Sequence, residues 1–214
     1  LIRFVNVPTV VILMILSLLA SPGPAQAAYK PINQSINGSF ELDSNHDGRP
    51  DFWEVSWRNG NSDGPYASRS TGLTPTDGDY VYRLYNGTGD AQSYQFARSQ
   101  PIQIKKGGSY RVKAQMRYTL QTGGVAGLYI IHLDNQGNEI SLLPGLYQDG
   151  GWNWHSHTID VTALPQTTAF VIRLAVGGEE GAYLDVDQVQ VEELTSMEVL
   201  NRYPTIQVWL NFGL

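Results

Sequence analysis

Tyr110-Arg-Val-Lys-Ala-Gln-Met-Arg-Tyr118 decides the fold class. Tyr110, Val112, Ala114, Met116 and Tyr118 fall on one side of an extended chain, and Arg111, Lys113, Gln115 and Arg117 on the other. That period of two, with one apolar and one charged side, belongs to an antiparallel strand that covers a core and meets water. Similar short runs recur on both sides of it. Expected strands are Gly38–Leu42, Trp53–Trp57, Tyr80–Tyr85, Ser93–Ala97, Ile102–Ile104, Tyr110–Thr119, Ala126–Leu133, His155–Asp160, Ala169–Ala175 and Leu184–Glu192. Turn residues separate them, at Asp77-Gly78, Asn86-Gly87, Lys106-Gly107-Gly108, Asn135-Gln136-Gly137-Asn138 and Gly177 to Gly181. About ten strands without a sustained helical period predict an all-β, two-sheet antiparallel β-sandwich of the jelly-roll kind.

The last of these strands has an unusual composition. In Leu184-Asp-Val-Asp-Gln-Val-Gln-Val-Glu192, Asp185 and Asp187 alternate in step with Val189 and Val191. If the valines face the core, two carboxylates point inward and need a partner, and a metal ion is one solution.

The ends of the chain read differently. Residues 1–28 carry Arg3, an apolar run from Val10 to Ala20, the breaker Ser21-Pro22-Gly23-Pro24 and the small-residue site Ala25-Gln26-Ala27-Ala28. This is the order of a secretory signal peptide, so a secreted, extracellular protein is expected. The apolar run is about half the roughly 20 residues that span a bilayer, so no membrane partner is expected after cleavage; a membrane anchor is the alternative. Residues 29–35 form a lead-in, 36–194 the jelly-roll domain and 195–214 a tail or linker. The chain holds 14 basic and 20 acidic residues, a net charge of −6. A nucleic-acid partner needs a basic surface, which argues against one. Cysteine is absent, so an exported domain must be held by its core or by a metal. A monomer is expected.

Asp43-Ser-Asn45-His-Asp47-Gly48-Arg-Pro-Asp51-Phe-Trp-Glu54 carries the strongest chemical motif. Oxygen-bearing side chains stand at positions one, three, five, nine and twelve, with glycine at six, the spacing of an EF-hand calcium loop. Asp43, Asn45, Asp47, Asp51 and Glu54 are therefore candidate ligands of Ca2+. Pro50 at the eighth position removes an N–H that paired EF-hand loops use, and no helical pattern flanks the loop. The loop resembles the Asp-rich loops of thrombospondin type 3 repeats. Asx turns without metal are the other reading, because Asp, Asn and Gly are ordinary turn residues.

A further set of phrases resembles the galactose-binding-like jelly rolls that include many carbohydrate-binding modules of bacterial secreted glycanases. They are Asn37-Gly38-Ser39-Phe40-Glu41, Gln100-Pro-Ile-Gln-Ile-Lys-Lys-Gly-Gly-Ser-Tyr110, Asp134-Asn-Gln-Gly137-Asn138, Gly151-Trp152 and Asp187-Gln188-Val189-Gln190-Val191. The order agrees from about Ile36 to Leu194. The resemblance implies a structural calcium between the first and last strands, with carboxylates from Glu41 and Asp187 and Asp185 as a second contributor. It also implies a polysaccharide or other glycan as partner.

Sugar recognition uses aromatic faces against C–H patches, with polar groups at the hydroxyls. Of five Trp and 12 Tyr, the resemblance implies that Trp53, Trp152 and Tyr110 occupy core positions. Tyr80, Tyr82 and Leu84 share an inward face, which leaves Val81, Arg83 and Tyr85 outward. Trp57, Arg83, Tyr85, Tyr129 and Trp154 are the candidate ligand-binding residues, with Tyr147 a further exposed candidate. No catalytic residues are assigned. There is no Cys and no Gly-x-Ser-x-Gly elbow. His155 and His157 share a strand face without a third metal ligand nearby, and His132 lies elsewhere. The expected function is a non-catalytic carbohydrate-binding module with structural calcium. The alternatives are a calcium-stabilised surface or adhesion module that binds protein, and a small polysaccharide lyase or glycoside hydrolase, for which Tyr118, Arg117 and Lys113 give the only hint of a base beside a cation.

Overall fold

The structure is a computed structural model that describes residues 29–194 apart from 33–35, 59–66, 72, 88–93, 120–123, 148–152 and 179. The expected signal peptide, the 195–214 tail and Trp152 lie outside the described residues.

The elements are β1 (Tyr29–Pro31), β2 (Trp53–Arg58), β3 (Ala67–Ser70), β4 (Val81–Tyr85), β5 (Tyr94–Ser99), β6 (Ile102–Gln103), β7 (Ser109–Thr119), β8 (Val125–Leu133), β9 (Glu139–Tyr147), β10 (His155–Thr162), β11 (Ala169–Gly177) and β12 (Tyr183–Leu194). They form two antiparallel sheets. The first has the order β10-β7-β12-β4-β3, with β1 also on β12; the second has the order β2-β5-β11-β8-β9, with β6 also on β11. The expected two-sheet antiparallel β-sandwich is the observed fold.

The core follows from the alternation. Tyr110, Val112, Ala114, Met116 and Tyr118 of β7 are all buried, and they meet Phe170, Ile172, Leu174 and Val176 of β11 from the other sheet. Tyr110 stands edge-on to Phe170 at 5.4 Å, and its hydroxyl accepts the Lys105 N–H at 2.6 Å. Phe40, Trp53 and Tyr82 close one end, with centroids 5.2 to 6.2 Å apart, and the Trp53 indole N–H donates to the Ile36 carbonyl at 2.8 Å.

Four expectations are corrected. Residues 38–42 form a turn rather than a strand: Phe40 N–H donates to Asn37 O, and Asn37 and Phe40 have φ of 46° and 62°. The Asn37 side chain holds this turn by bonding both polar backbone groups of Leu42 and the Asp51 carbonyl. Gly38 lies against the backbone of Val189, with Val189 N–H donating to Gly38 O at 2.8 Å, so a side chain there has no room. Second, the lead-in is partly a strand, since Tyr29–Pro31 pairs with Glu192–Leu194. Third, β9 was not expected. It contains Pro144 and Gly145, and it forms because it is the outer strand of its sheet, where a proline costs no ladder bond. Fourth, Asp185 and Asp187 do not point inward with Val189 and Val191. The register of β12 on β7 shifts between Asp187 and Gln190, with Gln188 at φ 51°. One extra residue in this bulge reverses the alternation. Val191 therefore sits opposite core Val112, while Asp185 and Asp187 sit opposite Arg117 and Gln115 on the outward face.

Candidate functional site

The outward face of the first sheet gathers charge around one carboxylate. Asp185 is fully buried although it faces away from the core. Its Oδ1 accepts from Arg83 Nε at 2.6 Å, and its Oδ2 from Arg83 Nη2 at 2.8 Å and Arg117 Nε at 2.9 Å. The bond to Asp185 raises the Arg83 pKa against the opposing effect of burial. Arg83 lies over the Tyr183 ring at 4.4 Å and Arg117 over the Trp154 ring at 4.6 Å. Arg117 also donates to the Leu73 carbonyl, and the Trp154 indole donates to the Thr74 carbonyl at 2.9 Å. Thr74 has φ of 50°, a strained value for a β-branched residue. Arg117 and Trp154 thus hold down a strained segment.

The same segment continues into the loop that takes Glu41 and Asp187. Asp187 Oδ2 accepts from the Thr76 N–H and hydroxyl, both at 2.7 Å, and from the Asp77 N–H at 2.9 Å. Glu41 Oε1 accepts from the N–H groups of Asp79 and Tyr80 at 3.1 and 3.0 Å. The two residues expected to share a calcium therefore serve one five-residue stretch, and amide donors already occupy an oxygen of each.

In the Asp43–Glu54 loop, Asn45, Asp47, Asp51 and Glu54 line one concavity of about 390 Å3. Gly48 takes the sharp turn at φ 82°. Asp43 accepts from the N–H groups of Asp47 and Gly48, Asp47 from that of Arg49, and Asp51 from that of Ser44. Among the described residues no three His, Asp or Glu side chains converge as a group able to hold a metal ion. The oxygen set of a calcium loop is thus present, but its carboxylates cap their own turn.

The outward face of the second sheet has a different character. One row across it reads Glu54 (β2), Arg98 (β5), Arg173 (β11), Tyr129 (β8) and Pro144 (β9). The next holds Ser56, Phe96, Ala175 and Gly127, and beyond it Tyr94 pairs with Gly177. Phe96 and Tyr94 lie nearly parallel, 13° apart with centroids at 6.1 Å. The Tyr129 ring leans over Gly127, where an added Cβ would stand 3.2 Å from the ring and 3.0 Å from the Gly145 carbonyl. Burial raises the Tyr129 pKa, with Tyr94 adding to it and Arg173 opposing it. Tyr94, Phe96 and Tyr129 are all half-buried, and small residues separate them across the strands. Arg173 stands 5.4 Å from the centre of the Phe96 ring. Glu139 of β9 meets Arg98 at 2.6 Å and Arg173 at 3.5 Å. Arg98 and Glu139 stand on strands three spacings apart, about 14 Å, so their pair stretches across the sheet. The outward Val171 and Ile131 of the strands between belong to a second, separate apolar cluster.

The five expected ligand-binding residues do not converge. Arg83 and Trp154 lie in the first sheet's charge cluster, and Tyr85, 38% exposed, lies at the end of β4. Tyr129 lies on the second sheet. Trp57 sits in β2 opposite Gln95, and its side chain lies outside the described ones, as does that of Tyr147. Tyr94, Phe96, Arg98, Glu139 and Arg173 were missed. Their signals were the alternation Tyr94-Gln95-Phe96-Ala97-Arg98 and the lone charge of Arg173 in the run Ala169–Ala175. Nothing supports the catalytic hint at Tyr118: it is buried in the core, while Arg117 and Lys113 face the other way. His155 and His157 stand 6.4 Å apart, and burial followed by the His155 charge lowers the His157 pKa.

No protein-family model and no curated protein matches the chain. Solved structures do. The enzymatically active domain of bacteriophage CBA120 tailspike protein 4 superposes with a TM-score of 0.60 and 17% identity, over 76% of this chain and 22% of that one. The CBM22-1 xylan-binding domain from Paenibacillus barcinonensis Xyn10C gives 0.52 and 13%, over 79% of this chain and 99% of that one. TmCBM61 in complex with beta-1,4-galactotriose gives 0.50 and 18%, over 75% and 97%. The likeness is one of fold. The chain spans about a fifth of the tailspike and nearly the whole of each carbohydrate-binding module, so its described part has the extent of a single such module.

Proposed function

We propose that this chain is an exported, non-catalytic carbohydrate-binding module that holds a polysaccharide on the outward face of the second sheet. The observation that carries the reading is the sharing of that face by three half-buried rings, Tyr94, Phe96 and Tyr129, with the guanidinium groups of Arg98 and Arg173. Flat rings cover the C–H side of a pyranose, and the fixed donors beside them bind its oxygens. Fold likeness to structures named for xylan and galactotriose supports the same reading. An open face binds weakly, with Kd of roughly 10 μM to 1 mM. Affinity electrophoresis against soluble plant and microbial polysaccharides tests it. Retardation by a polymer, lost in Phe96→Ala and Tyr129→Ala proteins that keep their melting temperature within a few degrees, is the expected result. Migration unchanged by every polymer would reject it in favour of a protein-binding surface module.

Calcium binding is proposed alongside, at the Asp43–Glu54 loop and between Glu41 and Asp187. It is supported by the spacing of the oxygen side chains, the turn at Gly48 and the meeting of Glu41 and Asp187 on one loop. Millimolar calcium is expected to raise the melting temperature over that in EDTA. An identical transition in both, with no metal in the purified protein, would exclude it.

A further inference from the structure

Two arginines on the second sheet's outward face share one close carboxylate. By register Arg98 stands between Glu54 and Arg173, and Glu139 reaches both arginines from β9. Arg98 and Arg173 stand directly opposite each other on neighbouring strands, a placement that costs stability unless an anion relieves it. Glu139 relieves it unevenly, since it meets Arg98 at 2.6 Å and Arg173 only at 3.5 Å. Each guanidinium has five N–H donors. The Glu139 contact is the one hydrogen bond of the Arg173 side chain among the described residues. Its side chain is 21% exposed, so this weakly paired charge is screened less than in water.

Resting on the proposed glycan site, we infer that the polysaccharide it takes is one that bears carboxylates, a uronic-acid-containing polymer. A uronate joins the two features this face offers at the spacing it offers them. Its ring has an apolar C–H side to lie on Tyr129, and its carboxylate projects from the sugar ring toward Arg173, the cross-strand neighbour of Tyr129, whose guanidinium lies over the Phe96 ring at 5.4 Å. A planar guanidinium grips a carboxylate through two parallel bonds. A neutral sugar in the same place leaves Arg173 with only its long contact to Glu139.

The test compares each uronate polymer with its own neutral form. The whole chain is run through gels containing polygalacturonate, alginate or glucuronoxylan, each paired with its methyl-esterified counterpart, and through gels containing neutral galactan and xylan and dextran sulfate. At least one free-acid polymer is expected to retard the protein about ten-fold more strongly than its ester, with the advantage shrinking as salt rises. Arg173→Gln should abolish that preference, and Arg173→Lys should recover only part of it, since an ammonium cannot make the paired bonds. An unchanged urea midpoint in each variant controls for loss of fold. Equal retardation by acid and ester, or retardation by neutral polymers alone, would overturn the uronate assignment and leave the glycan site standing. Binding to dextran sulfate alone would assign the cation to sulfate instead. Binding to no polymer would remove both readings.

Discussion

The two outward faces of the sandwich grow from the same alternation and use the same side chains, but they match donors to acceptors differently. On the first sheet, Asp185 receives three charged N–H bonds at 2.6 to 2.9 Å and is fully buried, and both of its arginines also face an aromatic ring. On the second, Glu139 is 44% exposed and serves two arginines at 2.6 and 3.5 Å. A buried carboxylate persists only where every oxygen is answered, so the first face is sealed and its charges act on stability. Unmatched donors beside half-buried rings leave a surface that a ligand can complete. Residue type alone does not separate these roles; the ratio of partners and the cover over them does.

The sharpest way to break this contrast is to remove one carboxylate from each face. Asp185→Ala leaves two guanidinium groups facing one another under a closed loop, and the expected cost is about 3–5 kcal/mol. Glu139→Ala removes a half-exposed partner, with an expected cost of about 1 kcal/mol or less. Urea unfolding of both proteins decides the matter, and similar losses would show that the faces do not differ in kind. Next in size is Asp187→Ala, which frees Thr76 and Asp77 from their anchor and is expected to cost about 2 kcal/mol. Asp47→Ala, in an exposed turn, should cost less and act mainly on calcium affinity. Trp154→Ala should lower stability, because the indole and Arg117 hold the strained Thr74, while leaving glycan retardation unchanged. Retardation lost in Trp154→Ala would move the site to the first sheet.

Much of this architecture can be read from local pattern. The strict alternation of β7 announces a half-buried strand because neighbouring residues decide it. Ala67–Ser70 and Glu139–Tyr147 escape for opposite reasons. The first lacks an apolar rhythm, and the second carries Pro144 and Gly145, which only an edge position tolerates. The bulge at Gln188 is also illegible, since glutamine does not advertise a positive φ, yet it sets which way Asp185 and Asp187 face. Of the candidate site, Tyr129 was legible as an outward aromatic. Its companions were not, because alternation tells which residues face out but not that β5, β11 and β8 lie side by side. Arg98, Arg173 and Tyr129 become one row only through pairings between residues 98, 173 and 129.

The smallest expected effect concerns the inner side of the same two sheets, each of which carries a histidine in its core-facing row. His157 of β10 pairs with Ala114, and His132 of β8 pairs with Phe170. His132 is buried, hydrogen-bonds through Nδ1 to the Thr167 hydroxyl at 3.0 Å and stands edge-on to Phe170 at 4.9 Å. Burial lowers its pKa below 6.5, and burial together with the His155 charge does the same for His157. Well above pH 6.5 both rings are neutral, folded or unfolded, and this part of the stability is whole. As the pH falls below that value the unfolded chain takes up protons that the folded chain refuses, so stability declines until the folded pKa values are reached. The urea midpoint should therefore drop between pH 7.5 and 5.5, before the carboxylates contribute. His132→Gln and His157→Gln should each flatten part of that slope, one for each sheet. A midpoint that holds steady over this range, or a slope that survives the double substitution, would show that these rings accept protons within the fold.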